Sequence, residues 1–138
     1  MARDKPVFEY AIICDDIRHE MGDKFSLIGI YGSDIYVAQI PFLFPKLCVV
    51  VAYRNMQSGD SFSIDLHDPS GQALGQTVRG TVPREVTSSS RFMIFNVFPP
   101  LQVHEPGQYK LVIIINEDVE NQKEVPFVIK SGENRVVH

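Results

Sequence analysis

Turn residues divide this sequence into short apolar segments, and that division limits how the chain can fold more than any other feature. Apolar residues nowhere keep the i, i+3, i+4, i+7 spacing of an amphipathic helix over three turns. The segments between Pro and Gly are rich in β-branched and aromatic residues, which suit a half-buried pleated surface. Strands are therefore predicted at residues 7–15, 24–31, 35–38, 46–54, 61–67, 73–78, 91–98, 108–116 and 123–130.

So many short strands need more than one sheet, and the frequent turns favour antiparallel pairing. We predict an all-β fold, an antiparallel β-sandwich of seven to nine strands with Greek-key connections and an immunoglobulin-like architecture.

The turn residues also indicate which strands are neighbours. In residues 68–71, Asp, Pro and Gly hold the first, second and fourth positions of a type I turn that leads into a bulged hairpin. This turn predicts that strand 61–67 pairs antiparallel with strand 73–78. The links at residues 21–24 and 57–60 are each predicted to reverse the chain.

Two segments combine prolines with large apolar residues. Residues 40–45 read IPFLFP and residues 98–101 read FPPL. Because proline removes a ladder hydrogen bond, neither segment can be a central strand. We predict that both cross over an edge of the core and cap it, as links between sheets.

Two predicted strands are apolar on both faces. In strand 108–116, Val112 and Ile114 add apolar side chains to the face opposite the predicted core, and Val50 does the same in strand 46–54. These three residues are the interface candidates. Their face is covered either by a partner, such as a second copy in a homodimer, or by the proline-containing segments of the same chain, and both alternatives stay open.

Length and composition restrict the class of protein. The chain has 138 residues, of which 44% are hydrophobic and 22% charged, and this predicts a single domain over residues 1–138. The net charge is −4 and the 13 basic residues form no run, which argues against nucleic acid as a partner. No apolar run could span a bilayer and no signal-peptide pattern is present. We expect a cytoplasmic protein without a membrane partner, in which Cys14 and Cys48 are free, buried thiols.

The sequence carries no recognisable catalytic pattern. Nucleophile-elbow, phosphate-loop, dinucleotide-binding, zinc-protease and C-x-x-C motifs are missing. The four histidines, at positions 19, 67, 104 and 138, are far apart in sequence and are predicted to be solvated loop residues. Cys14 lies in an apolar strand, where burial favours the protonated thiol. We predict no enzymatic activity, no catalytic residue, no cofactor and no metal site.

Asp15 and Asp16 end the first predicted strand and are the most unusual polar feature of the sequence. Because successive side chains of a strand point to opposite faces, the two carboxylates cannot chelate one ion from a regular strand. If the chain bends, Glu20 and Asp23 complete the candidate set for a calcium-binding acidic loop. The alternative is that these carboxylates pair with basic residues of the same hairpin.

Residues 11–51 resemble the start of a family of small bacterial proteins of unknown function. The resemblance rests on the patterns C-D-D-x-R-x-E, S-L-x-G-x-Y and P-K-L-C, which occur here in that order. It implies no enzymatic activity and no catalytic residue, and it marks as the family signature Cys14, Asp15, Asp16, Arg18, Glu20, Gly29, Tyr31, Pro45, Lys46 and Leu47. Residues 62–75 and 106–129 resemble, more loosely, the hairpins of immunoglobulin-like sandwiches.

These features predict a non-enzymatic binding or assembly module that acts through an apolar sheet face or a strand edge, with a protein or a second copy of itself as partner. The alternative is a β-sandwich that responds to calcium or another ligand through its acidic loop. An enzyme of unrecognised type is the third hypothesis.

Overall fold

The computed structural model describes residues 5–84 and 91–132, and strands make up most of them. No α-helix occurs in this part of the chain, and its one helical element is the 3-10 turn η1 (Val119–Asn121). The strands are β1 (Val7–Glu20), β2 (Lys24–Ile30), β3 (Asp34–Val37), β4 (Phe42–Phe44), β5 (Leu47–Arg54), β6 (Ser61–His67), β7 (Ala73–Thr81), β8 (Phe92–Phe98), β9 (Leu101–Val103), β10 (Gly107–Ile115) and β11 (Lys123–Ser131).

The strands form two large sheets and one small pair. Sheet 1 has four strands in the order β2-β1-β5-β8, and sheet 2 has five in the order β3-β11-β10-β6-β7. β4 and β9 form a separate two-stranded sheet. Neighbours are antiparallel except β3 and β11, which run parallel. The predicted all-β sandwich is confirmed and each of the nine predicted strands is present, but the described residues form eleven strands instead of seven to nine, and one pair is parallel.

The turn between β6 and β7 forms as the sequence indicates. The Asp68 carboxylate accepts hydrogen bonds from the backbone N–H groups of Ser70 and Gln72, both at 2.9 Å. Gly71 has a φ of +89°, which few residues other than glycine adopt. The two strands pair antiparallel, as predicted.

The link at residues 57–60 differs from the simple reversal that the sequence predicts. β5 lies in sheet 1 and β6 in sheet 2, so the chain crosses between the sheets here. The buried Asp60 stabilises the crossing, because its carboxylate accepts hydrogen bonds from the Gln57 backbone (2.8 Å) and the Asn116 side chain (3.1 Å). Turn composition alone does not distinguish such a crossing from a hairpin.

The proline-containing segments form the β4–β9 pair, which the sequence does not predict as strands. Phe42 pairs with Val103, and Phe44 with Leu101. Three of these side chains are buried in the main core, so both segments close the core as predicted. The prolines flank the short strands instead of interrupting them, and the ladder between them therefore stays intact.

The main core lies between sheets 1 and 2. Alternate residues of the central strands enter it, including Val49 of β5 and both Leu111 and Ile113 of β10, all fully buried. Tyr109 lies in the same core, and its hydroxyl donates a hydrogen bond of 2.5 Å to the backbone oxygen of Glu105. The alternation predicted for these two strands is present.

The second half of β1 and the whole of β2 form a hairpin, residues 15–30, that we call the arm. β1 pairs with β5 up to Cys14 and with β2 from Cys14 onward, so it changes partner at this residue. β1 runs on to Glu20, whereas the sequence predicts a strand end at residue 15. The arm remains extended because β1 and β2 satisfy each other's backbone groups beyond the contact with β5.

The arm covers part of the outer face of sheet 1. Phe25 lies against Phe95 of β8 with ring centroids 4.1 Å apart, and His19 lies 6.2 Å from the same ring. Phe95 is the register partner of Val50, which is fully buried. The interface candidate Val50 is therefore buried within the single chain, and the arm, which neither of the two alternatives included, covers its neighbour Phe95.

Val112 and Ile114 lie on the outer face of sheet 2. Val112 is 3% exposed because its register partners Asp65 and Glu124 flank it on either side. Ile114 is half-buried and lines a groove of about 420 Å³ beside Phe62. Of these two interface candidates, only Ile114 presents part of an apolar side chain to solvent.

Candidate functional site

A pocket of about 350 Å³ lies where the arm, β3 and β4 meet. We call it the aromatic pocket. Its lining residues are Asp15, Tyr31, Tyr36, Val37, Phe42, Phe44, Pro45 and Lys46. Sheet 1, sheet 2 and the β4–β9 pair all contribute to its wall. A mostly apolar wall with a few polar groups is typical of a binding site.

Asp15 is held in the pocket by Tyr31 and Gly29. The Tyr31 hydroxyl donates a hydrogen bond of 2.5 Å to the Asp15 carboxylate, and the Tyr31 backbone N–H donates one of 2.8 Å to Ile13. Gly29 has a φ of +69°, and a Cβ at this position would overlap the Asp15 carboxyl group. Burial raises the pKa of the Tyr31 hydroxyl, and the hydrogen bond to Asp15 raises it further, so the group remains a donor.

Asp16 has different partners from its neighbour Asp15. Lys46 donates a hydrogen bond of 2.6 Å to the Asp16 carboxylate, and the Arg18 Nε lies 3.8 Å from its other oxygen. The hydrogen bond between Lys46 and Asp16 lowers the pKa of the Asp16 carboxyl group and raises the pKa of the Lys46 ammonium group. Because both groups are accessible to solvent, the pair adds little stability. Its main effect is to neutralise the Lys46 charge beside the pocket.

A second cation close to the pocket is also paired. The Lys130 Nζ lies 3.2 Å from an Asp34 oxygen and 5.8 Å from the centroid of the Tyr36 ring. Tyr36 is 48% exposed, so part of its ring faces solvent. The Tyr36 ring thus already contacts one positive charge, that of Lys130.

Asp15 differs from the other charged groups of this site. In the described part of the chain, its carboxylate accepts a hydrogen bond from a neutral hydroxyl and forms no ion pair. Lys46 and Lys130, in contrast, each have a carboxylate partner. The exposed Asp15 carboxylate thus lines a pocket of aromatic rings and forms no ion pair with the described residues, although the paired Lys46 lines the same pocket.

Cys14 and Cys48 lie next to the pocket as register partners of β1 and β5. Both are fully buried, and their Sγ atoms lie 3.5 Å and 3.6 Å from the backbone oxygens of Asp16 and Asp15. Burial raises the pKa of both thiols. Neither side chain therefore supplies a thiolate nucleophile to the pocket at neutral pH.

The four acidic candidates for a cation site do not converge. Asp15 and Asp16 have separate partners, and Glu20 and Asp23 are exposed at the far end of the arm. Within residues 5–84 and 91–132, no group of three or more His, Cys, Asp or Glu side chains could hold a metal ion. The acidic stretch therefore contributes one carboxylate to the pocket and not a multidentate site.

Two histidines lie in strands instead of the predicted loops. His19 belongs to β1 and His67 to β6, whereas His104 is an exposed link residue. His138 lies outside the described residues. None of the three described histidines lines the aromatic pocket.

Sequence reasoning identified one half of the pocket. The lining residues from the arm and from the link before β5 belong to the family signature, whereas the rings of β3 and β4 were not singled out. A signal was present in IPFLFP, because Phe42 and Phe44 alternate with Leu43, which is 51% exposed. Two aromatic residues on one side of a short extended segment indicate a shared apolar contact surface.

The groove beside Ile114 is larger than the aromatic pocket but is a weaker candidate. Its lining combines Phe62 with the opposite charges of Arg79 and Glu117. It lies on the outer face of sheet 2, and its lining contains no residue of the family signature. Of these two, the aromatic pocket combines several rings with a carboxylate that forms no ion pair among the described residues.

Fold and pocket together define an all-β sandwich with a pocket where its sheets meet. The chain belongs to a family described as "Family of unknown function (DUF6941)", whose profile matches residues 9–130. The expected membership in a family of unknown function is thereby confirmed. No curated protein matches this sequence. The described residues include no helix with the length and apolar character needed to cross a bilayer.

Two solved structures are similar to this chain at low sequence identity. One is the alkylpurine DNA glycosylase AlkC of Pseudomonas fluorescens, bound to DNA containing an abasic site analog, with a TM-score of 0.42 and 7% identity over 94% of this chain. This chain spans 31% of that glycosylase. The other is the PmoD soluble domain of Methylocystis sp. strain Rockwell, with a TM-score of 0.36 and 9% identity over 90% of this chain and 97% of that domain.

Proposed function

We propose that this protein is a non-enzymatic binding module whose aromatic pocket takes a cationic side chain, Lys or Arg, from a partner protein. The observation that carries the proposal is the Asp15 carboxylate, which lies among aromatic rings and has a neutral hydroxyl as its partner. Aromatic faces and a carboxylate attract the same kind of group, a positive charge with an apolar stem.

The size of the pocket supports a side chain as the occupant. A volume of about 350 Å³ is at the low end for ligand sites, so it suits one long side chain better than a large cofactor. The methylene stem would lie against Phe42 and the charged head would approach Asp15. A cation–π contact is worth about 0.5–2 kcal/mol, so one side chain gives weak binding and the partner needs further contacts.

The proposal is tested with three blocked tripeptides that place Lys, Arg or norleucine between two glycines. Norleucine keeps the carbon chain of Lys and removes its charge. NMR titration of the ring signals of Tyr36 and Phe42 measures binding. We expect the Lys and Arg peptides to shift these signals in a saturable way and the norleucine peptide to bind more weakly.

Asp15→Asn removes the charge and keeps an acceptor for Tyr31. We expect it to weaken binding of the Lys peptide about 5- to 30-fold, which corresponds to about 1–2 kcal/mol. Glu20→Gln is the matched control, because it removes a carboxylate from the far end of the same arm. Equal binding of all three peptides, or equal effects of the two variants, would refute the proposal.

A non-enzymatic role is supported by the chemistry beside the pocket. Burial keeps the thiols of Cys14 and Cys48 protonated, and the Tyr31 hydroxyl is held as a hydrogen-bond donor to Asp15. A nucleophile needs an activating base or a lowered pKa, and these groups have the opposite shift.

We also propose that the sandwich is immunoglobulin-like. In support, β5 lies beside β8 in one sheet, and β6, β10 and β11 are adjacent in the other, as strands B, E, C, F and G are in that fold. The Tyr109 hydrogen bond to Glu105 near the start of β10 has the arrangement of a tyrosine corner. The chain departs from antibody domains because it has no Trp and because both cysteines lie in sheet 1.

A bacterial source, a cytoplasmic location and a protein partner in preference to nucleic acid or membrane belong to the same proposal. The resemblance of residues 11–51 supports the source, and the two buried thiols suit a reducing compartment. A net charge of −4 with scattered basic residues disfavours a polyanionic partner.

A further inference from the structure

We propose that two copies of this protein associate through the outer edge of β8, which pairs antiparallel with the same strand of the second copy. β8 is the last strand of sheet 1 and pairs on one side with β5. In the described part of the chain, no strand pairs with its other side. An open edge presents a row of backbone donors and acceptors that fits another strand.

β8 lacks the features that protect the other open edges of the two large sheets. β2 carries Lys24 and the left-handed Gly29, and β7 carries Arg79 and the left-handed Gly75. β3 has four residues, of which Asp34 pairs with a lysine of β11. The seven residues of β8, FMIFNVF, include no charge, no Gly and no Pro. Charges, bulges and short length are the usual protection of an edge strand, and β8 has none of them.

The β8 sequence is compatible with pairing to itself. An antiparallel pair centred on Phe95 places Phe95 opposite its own copy and Met93 of each copy opposite Val97 of the other. Since Phe95 and Val50 are register partners, these three residues lie on the outer face of sheet 1. Apolar residues thus meet apolar residues at each position of that face, and the pairing is two-fold symmetric.

The residues around β8 limit the pairing to this segment. Arg91, just before the strand, is held by Glu9 with an N–O distance of 2.5 Å, and Pro99 and Pro100 follow its end. In the centred register, Arg91 of one copy lies opposite Pro99 of the other, so no like charges meet. A partner strand of the same length therefore fits better than a longer one.

The size of the contact predicts a weak dimer. A ladder of seven residues is roughly 23 Å long, and a sandwich edge roughly 20 Å deep gives about 900 Å² in total over both copies. This area is at the low end of specific interfaces. We therefore expect a dimer whose population depends on protein concentration.

Sedimentation equilibrium over roughly 5–500 µM protein measures this association. Val97→Lys places a charge on the paired face, and we expect it to raise the dissociation constant at least tenfold. Val119→Lys is the matched control, because Val119 is 61% exposed, similar to Val97 at 53%, and lies in η1. Circular dichroism establishes that both variants are folded.

Cross-linking tests the register. With oxidised glutathione, the double variant Met93→Cys, Val97→Cys forms a covalent dimer, because each thiol faces the other position on the second copy. For each disulfide, two protein thiols are oxidised and one oxidised glutathione is reduced to two thiols. The single variants are the controls, since the same residue in two copies lies roughly 13 Å apart in this register.

Three results would overturn the proposal. They are a monomer over the whole concentration range, the same dissociation constant for Val97→Lys as for Val119→Lys, and cross-linking of a single variant as efficient as that of the double variant. The proposal is independent of the aromatic pocket, and Asp15→Asn leaves the association unchanged.

Discussion

Asp15 and Gly29 face each other across the arm, and their contact explains why a glycine stands at the next-to-last position of β2. Its φ of +69° is costly for residues with a Cβ, and the space that a Cβ would need is filled by the Asp15 carboxyl group. The Tyr31 hydroxyl holds the same carboxylate from another direction. One backbone position thus maintains the orientation of the charge on which the proposed function depends.

Gly29→Ala should lower the free energy of unfolding by about 1–3 kcal/mol, because the variant combines an unfavourable φ with steric overlap. Urea unfolding monitored by circular dichroism measures the loss. Gly32→Ala is the control, since a Cβ at Gly32 meets no atom within 4 Å and the residue has no left-handed φ. We expect it to change stability by no more than about 0.5 kcal/mol. Similar losses in both variants would contradict this account.

Sequence reasoning reached the correct residues here and one partner from the same hairpin, Arg18 beside Asp16, but neither Tyr31 nor Lys46. Alternation along the strand shows that Asp15 and Asp16 have different neighbours, as the structure finds. The pairing of Asp15 with Tyr31 spans 16 positions, and that of Asp16 with Lys46 spans 30. Such separations are determined by which strands become neighbours, and a local pattern does not contain that information.

The arm is the element that most alters what the sequence suggests. A strand that is apolar on both faces indicates a missing cover, and Val50 was therefore an interface candidate. The cover at Phe95 comes from Phe25 near the start of β2, at the tip of the arm. The arm exists because β1 changes partner after Cys14 and continues beyond β5. A fold-back of this kind leaves no periodic signal in the sequence.

Phe25→Ala should open the arm locally without unfolding the sandwich. It removes the ring that contacts Phe95, and we expect Cys14 and Cys48, which are buried near the base of the arm, to react about 5- to 30-fold faster with Ellman's reagent. Ile28→Ala is the control, because Ile28 belongs to the same strand and is 40% exposed, close to the 37% of Phe25.

The readout is the rate at which the folded protein releases thionitrobenzoate from the reagent at pH 8, together with the urea midpoint. Faster release with a folded far-UV spectrum supports local opening. Equal rates for the two variants would show that the arm does not limit access to the thiols.

Elements with clear turn chemistry were predicted, and elements that depend on tertiary contact were not. The Asp68 turn specifies the β6–β7 hairpin through side-chain hydrogen bonds within five residues of chain. The β4–β9 pair brings together segments 42–44 and 101–103, each too short and too close to proline for a propensity signal. The crossing at residues 57–60 depends on Asp60 and Asn116, which are distant in sequence.

For the molecule as a whole, ionisable groups predict a stability maximum near neutral pH. Burial raises the pKa of several neutral groups, and for Tyr53 it does so to about 12. The groups with a raised pKa are Cys14, Cys48, Tyr31, Tyr53 and Tyr109. In the unfolded chain, cysteine titrates near 9.0 and tyrosine near 10.0. Their contribution is complete below pH 9 and declines as the pH rises, because the unfolded chain releases these protons first.

The carboxylates give the opposite dependence of stability on pH. Hydrogen bonds from partner side chains lower the pKa of Glu9, Asp16, Asp68 and Glu124. Their contribution is present above about pH 4.5 and is lost as the pH falls through the lowered values. All four carboxylates keep partial contact with solvent, so we expect a shallow acidic decline.

Urea midpoints measured from pH 3 to pH 11 test the profile, and Tyr53→Phe is the diagnostic variant. It removes one group with a raised pKa, so its midpoint should fall less than that of the wild type above pH 10. Parallel alkaline declines in the two proteins would contradict the assignment.

The sandwich as a class followed from the sequence, but the partition of its strands did not. Alternation identifies which side chains of β5 and β10 enter a core, and it is silent about which strands lie beside them. The order β3-β11-β10-β6-β7 includes a parallel pair between the third strand and the last one. Contacts of this separation become favourable only after other strands have assembled.

The wall of the aromatic pocket is drawn from both large sheets and from the β4–β9 pair. Any sliding of one sheet over the other would alter the distance between Asp15 and Tyr36, and with it the fit of an occupant. By reciprocity, an occupant that bridges these residues would resist such sliding and stabilise one alignment of sheet 1 and sheet 2. Binding in the pocket would then also stabilise the relative position of the two sheets.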